Sequence, residues 1–226
     1  MSIVQTLIGS FGGSSLPTQL TFIAVDDQQN TFSTNITASV PATAQSGDLA
    51  IMSFACDENL TLPFTVPSGW TLIHEATGAL AAGGSFYKIL ESGDPGTNVV
   101  TSYTGSADDN VAAIAVFRPD NPITTVTVGS KNIEVTAGNP TQQTITASGV
   151  NVPVLLWGYC AERPGTTGGI NPSGSLTTTG TDALLGDDNH EAYYHIYNQG
   201  DTPANLQWDM PDVQQNQLQS FYVSVE

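Results

Sequence analysis

The sequence repeats itself once, and this internal duplication constrains the fold more than any other feature of the chain. Cys56 and Cys160 stand at matching places in two similar apolar segments, 104 positions apart (160 − 56). Further matches follow in the same order with only small changes of offset, so we expect the two halves to be copies of one structural unit. The matched segments are 49–58 with 153–162, 66–70 with 171–175, 87–94 with 194–201, and 114–117 with 221–225.

Each copy is a series of short β-strand signals. Branched and aromatic residues gather in short runs bounded by Gly, Pro, Asp or Asn, which favour turns. No window has the sustained apolar period and the end caps of a helix. The apolar run 111–117 has no polar face, so we expect a strand that is buried on both sides. Strands are predicted at 31–40, 49–56, 70–75, 85–90, 99–104, 111–118, 124–128, 141–147, 152–160, 192–197, 206–210 and 218–225.

Tight turns between the strands favour antiparallel pairing, and so many strands do not fit in one flat sheet. The sequence therefore predicts an all-β fold, an antiparallel β-sandwich of jelly-roll type built from two duplicated halves. The expected division is an N-terminal anchoring strand and connector at 1–35, a first half at 36–120 and a second half at 121–226. We expect the two halves to pack as one compact domain.

The charge balance excludes some classes of partner. The chain has 21 Asp and Glu residues against 4 Lys and Arg, which gives a net charge of −17. Nucleic acid requires a basic surface to neutralise its phosphates, and an anionic membrane surface would repel this chain, so neither is expected as a partner. Residues 1–9 lack the pattern of a signal peptide, which predicts folding in a cytoplasm. The two cysteines are too few for a disulfide framework, and we expect both to be buried thiols.

Several short motifs follow one another in a characteristic order. They are Val-Pro-Ala at 40–42, Gly-Asp-Leu at 47–49, Pro-Ser-Gly-Trp-Thr-Leu at 67–72, Tyr-Lys at 87–88, Gly-Asp-Pro-Gly at 93–96 and Ala-Ala-Ile-Ala-Val-Phe-Arg at 112–118. This pattern resembles a module that is widespread in structural proteins of bacteriophages. The resemblance covers about residues 36–226 and implies a jelly-roll-like sandwich in a viral or surface setting, without a catalytic motif. The second half departs from the pattern at Ser175, which stands where the first half has Trp70.

Catalytic and metal-binding patterns find little support. His190 and Glu191 are followed by a second histidine at 195, one position too late for the zinc motif His-Glu-x-x-His, which also requires a helix. Carboxylates at Asp187, Asp188 and Glu191 are the candidate ligands for a calcium ion, although we favour a solvated acidic loop. No serine-nucleophile motif occurs. We expect no cofactor and no enzymatic activity.

The sequence is best interpreted as a virion structural protein, made in the host cytoplasm. We expect a capsid decoration protein on the outside of a bacteriophage head, which stabilises the shell by adhesion to the major capsid protein and to sister subunits in a homotrimer. The N-terminal segment would supply apolar contacts to these partners. The alternative is a tail or fibre domain that binds host glycan through aromatic side chains, for which alternation places Tyr193 and Tyr197 on one face of a strand and Tyr194 on the other. The predicted partner-binding residues are Ile3, Leu7, Phe11, Leu20 and Phe22.

Overall fold

The computed structural model describes residues 18–56, 61–78, 81–136, 142–147, 153–162, 171–173, 190–203, 206–209 and 216–226. Regular structure in this part of the chain consists of β-strands, which confirms the all-β prediction. The strands are β1 Leu20–Ser39, β2 Leu49–Cys56, β3 Thr71–Thr77, β4 Ala82–Ile89, β5 Asn98–Pro119, β6 Val126–Thr136, β7 Gln142–Ile145, β8 Val154–Glu162, β9 Asn171–Ser173, β10 His190–Tyr197, β11 Leu206–Asp209 and β12 Asn216–Val225.

Three strands, β1, β5 and β6, are much longer than the sequence predicts; β6 continues to Thr136, beyond the predicted end at residue 128. β1 begins at Leu20, so the predicted boundary at residue 35 lies inside a strand. β5 joins the two strands predicted at 99–104 and 111–118. β1 and β5 pair antiparallel from end to end, with a change of register beyond Ser33, where residues 103–106 fall between the two registers. Gly105 has a φ of 126°, which favours glycine, and marks the bend in this long ribbon.

The strand order is the same in both halves. The five-stranded sheet has the order β1-β5-β2-β4-β3, and the four-stranded sheet has the order β10-β8-β12-β6. The repeat in the sequence equates β8 with β2, β10 with β4, and β12 with the last part of β5. Taken from its β6 end, the second sheet therefore follows the order β1-β5-β2-β4 of the first. A third sheet has the order β7-β11-β9.

A matching turn follows β4 in the first half and its counterpart β10 in the second. In the first half, the backbone N–H of Glu91 donates to the carboxylate of Asp94 at 2.6 Å. In the second, the backbone N–H of Asn198 donates to the carboxylate of Asp201, also at 2.6 Å. The two aspartates are 107 positions apart (201 − 94), the offset that the sequence repeat has at this point. The same local hydrogen bond therefore ends the corresponding strand in each copy.

The central strands of the five-stranded sheet, β2 and residues 111–117 of β5, are buried on both faces, as expected for this apolar run. Residues 35–39 of β1 and 98–102 of β5, which we call the outer ribbon, cover one face. The four-stranded sheet packs on the other face, and this second core joins the two halves. The larger side chains of the first core are Ile36, Phe54, Phe64, Trp70, Phe86 and Ile114. Those of the second are Leu49, Ile51, Phe117, Leu155, Trp157, Tyr159 and Phe221.

Candidate functional site: a buried polar network and an uncharged outer face

A chain of hydrogen bonds crosses the second core and joins the two sheets. We call its side chains the inter-sheet network: Ser53, His74, Ser85, Trp157 and Gln219. The indole N–H of Trp157 donates to the hydroxyl of Ser53 at 2.9 Å, and this hydroxyl lies 2.7 Å from that of Ser85. Ser85 donates to the side-chain oxygen of Gln219 at 2.5 Å. These hydrogen bonds all run in the same direction, because each hydroxyl donates to one neighbour and accepts from the other.

Gln219 is the centre of this network. Its amide N–H donates to the carbonyl of Phe54 at 2.9 Å, which fixes the orientation of the amide. Its oxygen must then be the acceptor for Nε2 of His74, 3.1 Å away, as well as for Ser85. One buried side chain from β12 therefore binds three different strands of the first half, β2, β3 and β4. The network is fully enclosed, since Ser53, Ser85, Trp157 and Gln219 are each 0% exposed.

Trp157 and Ser53 occupy equivalent positions in the two halves. They are 104 residues apart (157 − 53), which is the offset between Cys56 and Cys160. Their direct hydrogen bond means that equivalent points of the two copies face each other across the second core. This contact therefore joins matching positions of the sequence repeat.

His74 is held in its neutral form by this environment. Burial lowers its pKa to about 4; the hydrogen bond with Gln219 raises it, and the Lys131 ammonium lowers it further. Because Nε2 carries the proton that Gln219 accepts, Nδ1 is unprotonated, and it has no hydrogen-bond partner. The ring packs edge-on against Phe221, with 5.4 Å between the ring centres.

The network has the features of a structural contact. A serine nucleophile requires a base that takes its proton, whereas Ser85 donates to the amide oxygen of Gln219. Its enclosure would also keep a substrate from the two serines. Its role is therefore to align the two sheets, because the hydrogen bonds of Trp157, Gln219 and Nε2 of His74 form only when the partner sheet is in register.

The outward side chains of the outer ribbon are uncharged, and the half-buried carboxylate of Asp26 accepts the backbone N–H of Ser39 at 3.1 Å. We define the outer face as the side chains that point outward from the outer ribbon and from the adjoining segment 65–66: Asn35, Thr37, Ser39, Thr65, Val66, Asn98, Val100 and Ser102. Val66 and Val100 are the large apolar members, 40% and 45% exposed. The segment is attached to β5 by the backbone N–H of Thr65, which donates to the carbonyl of Ser102 at 2.9 Å.

Side-chain hydrogen bonds join neighbouring residues of the outer face. The hydroxyl of Ser39 donates to the side chain of Asn98 at 3.0 Å. Ser102 donates to the hydroxyl of Thr65, also at 3.0 Å. Below the surface, Thr101 donates to the carbonyl of Thr65 at 2.7 Å. These bonds join both strands of the outer ribbon and the adjoining segment into one layer.

The outer face has a signal in the sequence that strand patterns alone do not reveal. Residues 28–47, 59–74 and 95–107 contain no Asp, Glu, Lys or Arg, although the chain has 21 acidic residues. The fold brings parts of these stretches, residues 35–39, 65–66 and 98–102, together as one layer. The inter-sheet network has a weaker signal: Ser53 is an isolated polar residue within an otherwise apolar strand run, whereas Gln219 stands among the polar residues at the start of β12.

Two of the predicted partner-binding residues lie inside the molecule. Leu20 is buried in the second core. Phe22 is half-buried and stacks on Tyr194, with ring centres 4.9 Å apart, and it packs edge-on against Phe117. Both side chains therefore help to join the two sheets. The other predicted residues, Ile3, Leu7 and Phe11, lie outside the described part of the chain.

The candidate calcium ligands are not brought together in the described structure. Asp187 and Asp188 lie outside the described residues. Glu191 is on β10 opposite Cys160, and its side chain is not among those described. Within the described ranges, no three His, Cys, Asp or Glu side chains are grouped as metal ligands. The buried thiol of Cys56 donates to the carbonyl of Ala82 at 3.2 Å, as a free cysteine.

The aromatic residues considered for glycan binding are divided between the two faces of β10. Tyr194 lies in the second core, against Phe22 and Phe117. Tyr193 is half-buried on the opposite face, and Tyr197 is buried there beside His195, with 4.4 Å between the ring centres. This row offers a sugar less exposed aromatic surface than alternation along the strand suggests.

Comparisons with known proteins return no relative. No protein-family model matches the chain, and no curated protein and no solved structure matches it. Across the residues that the structure describes, there is no helix with the length and apolar character needed to cross a membrane. The function must therefore be inferred from the residues of the chain itself.

Proposed function

We propose that this chain is a virion structural protein of a bacteriophage, a decoration protein that lies on the outside of the head and stabilises the shell by adhesion. The observation that carries the proposal is the outer face, a layer of uncharged side chains on a chain with a net charge of −17. The resemblance of the sequence to phage structural modules supports the viral setting.

Adhesion explains why the acidic residues avoid this layer. The buried centres of protein interfaces are depleted in charged residues, because a charge buried without a partner must be desolvated at high cost. The remaining acidic surface would keep copies of the chain apart in solution. An uncharged face is then the place where a shell protein or a sister subunit can approach closely. Three copies around a local threefold axis would contact several shell subunits and stabilise them by mass action.

Copy number on the virion is the first test. Quantitative mass spectrometry of purified particles should find the chain in hundreds of copies, as symmetric coverage of a head requires. A copy number as low as that of a tail component would indicate a position in the tail and favour the glycan-binding alternative. If purified virions contain no copies, the proposal is wrong.

A charge placed on the outer face is the second test. We expect Val100→Asp to weaken binding to heads that lack the protein by about tenfold or more, which corresponds to about 1.4 kcal/mol. The matched control is Thr127→Asp, which adds the same carboxylate at an exposed position of β6. Equal binding by the two variants would show that the outer face is not the contact.

The N-terminal segment requires a truncation that respects the fold. Removing residues 1–30 would delete half of β1, which pairs with β5, and would disturb the sheet itself. Removing residues 1–17 leaves β1 intact and tests the predicted contribution of Ile3, Leu7 and Phe11. We expect this truncated protein to unfold at the same urea concentration as the full chain while binding heads more weakly.

A further inference from the structure

We propose that His74 is an acid-sensitive latch between the two halves, which loosens the inter-sheet contact when the ring takes a second proton. The inference goes beyond adhesion and does not depend on it. His74 lies on β3 of the first half, and its Nε2 donates to Gln219 on β12 of the second half. It is therefore the one histidine of the described residues that joins the two sheets directly.

The geometry leaves no place for a second proton. Nδ1 of His74 is enclosed and has no hydrogen-bond partner. A proton there would be a buried donor without an acceptor, on a ring that has become cationic. The ring is bordered by the uncharged groups of Ser85, Gln219 and Phe221. No carboxylate among the described side chains contacts the ring to balance the charge.

The charged groups around His74 add to this effect. Lys131 reaches across from β6 and donates to the backbone carbonyl of Ile73, next to the histidine. Glu75, the neighbour on β3, is engaged elsewhere, because its carboxylate accepts the backbone N–H of Phe64 at 2.9 Å. The nearest charge from the opposing sheet is thus positive, and it repels an imidazolium. Separating the sheets would relieve both the repulsion and the unsatisfied donor.

The direction of the pH effect follows from proton linkage. The pKa of His74 is about 4 in the folded chain against 6.5 for a free histidine, so the unfolded chain binds the proton more readily. Stability is then complete above about pH 6.5 and is lost as the pH falls towards 4, with no further loss from this group below that. Across this window the group can raise the unfolding equilibrium constant by about 10²-fold.

Urea unfolding of the full chain at a series of pH values tests the latch. His74→Gln keeps an amide that can donate to Gln219 but does not titrate. We expect the unfolding constant of the wild type to rise about 10²-fold more than that of His74→Gln between pH 6.5 and 4. His195→Gln is the control, because His195 lies on β10 beside Tyr197 and away from the network. It should follow the wild-type profile; parallel profiles for wild type and His74→Gln would overturn the proposal.

Two measurements keep the test independent of how well the variant folds. The ring signals of His74 in the folded wild type, followed by nuclear magnetic resonance, should titrate near pH 4, and a titration near 6.5 would overturn the latch. Trp157, left as the sole indole in Trp70→Phe/Trp208→Phe, reports on the contact itself. Its fluorescence should become easier to quench with acrylamide as the pH falls from 6.5 to 4. No change until the whole chain unfolds would also refute the proposal.

Discussion

Replacing Gln219 by leucine tests whether the inter-sheet network stabilises the fold. Leucine has a similar size but removes every hydrogen bond of the amide. Ser85 keeps its contact with Ser53 but loses Gln219 as the acceptor of its own proton. Nε2 of His74 loses the acceptor it has, and the carbonyl of Phe54 loses one hydrogen bond. A buried donor left unsatisfied costs about 1–3 kcal/mol and a lost hydrogen bond about 1 kcal/mol. The expected loss of stability is about 3 kcal/mol.

Equilibrium unfolding in urea measures this loss. A chain of this size has a urea dependence of about 3 kcal/mol per molar, so the midpoint should fall by about 1 M. The matched control is Gln28→Leu, because Gln28 is an exposed glutamine on β1 and its replacement should change stability by less than about 0.5 kcal/mol. A Gln219→Leu protein that unfolds within about 0.5 kcal/mol of the wild type would refute the reasoning. The network would then be a consequence of sheet packing and would not contribute to it.

Two further substitutions test the packing of the first half. Gly84→Ala would place a Cβ 2.7 Å from the carbonyl oxygen of His74, so the strands must shift. We expect the free energy of unfolding in urea to fall by about 2 kcal/mol. The control is Gly93→Ala, whose Cβ would meet nothing within 4 Å and should change stability by less than about 1 kcal/mol. Arg118→Met removes a two-bond contact of 3.0 and 2.9 Å to Asp48, whose side chain is 2% exposed. Because a buried carboxylate without its cation is costly but the arginine is partly exposed, we expect a loss of about 2 kcal/mol at pH 7. Equal thermal stability of Arg118→Met and wild type at pH 7 would contradict this.

The strand positions were predictable because their signals are local. Alternating apolar residues and Gly, Pro or Asp at the turns predicted segments such as 49–56 and 111–118, and the structure has β2 and part of β5 there. The extent of β1 was harder to predict. Residues 20–30 contain two Asp and two Gln residues among their apolar neighbours, and they form a strand because β5 pairs with them along its whole length.

The candidate sites were less predictable than the strands. Strand alternation assigns a residue to a face, but it does not say what covers that face. Leu20 and Phe22 were therefore assigned to a partner surface, although Tyr194 and Phe117 of this chain cover Phe22. As a single serine in an apolar run, Ser53 gives no indication in the sequence of which residue it contacts. Its role depends on Trp157, more than a hundred residues away.

By itself, the sequence determined that this chain is all-β, that it contains two copies of one unit, and that its surface is acidic. These properties depend on residue type and local spacing, which are present before the chain folds. Only the tertiary structure decided that the two copies face each other through a buried polar contact, and that parts of three uncharged stretches form one layer. Both depend on pairing between residues far apart in the chain, where burial and hydrogen bonding are properties of the stacked sheets and not of any one segment.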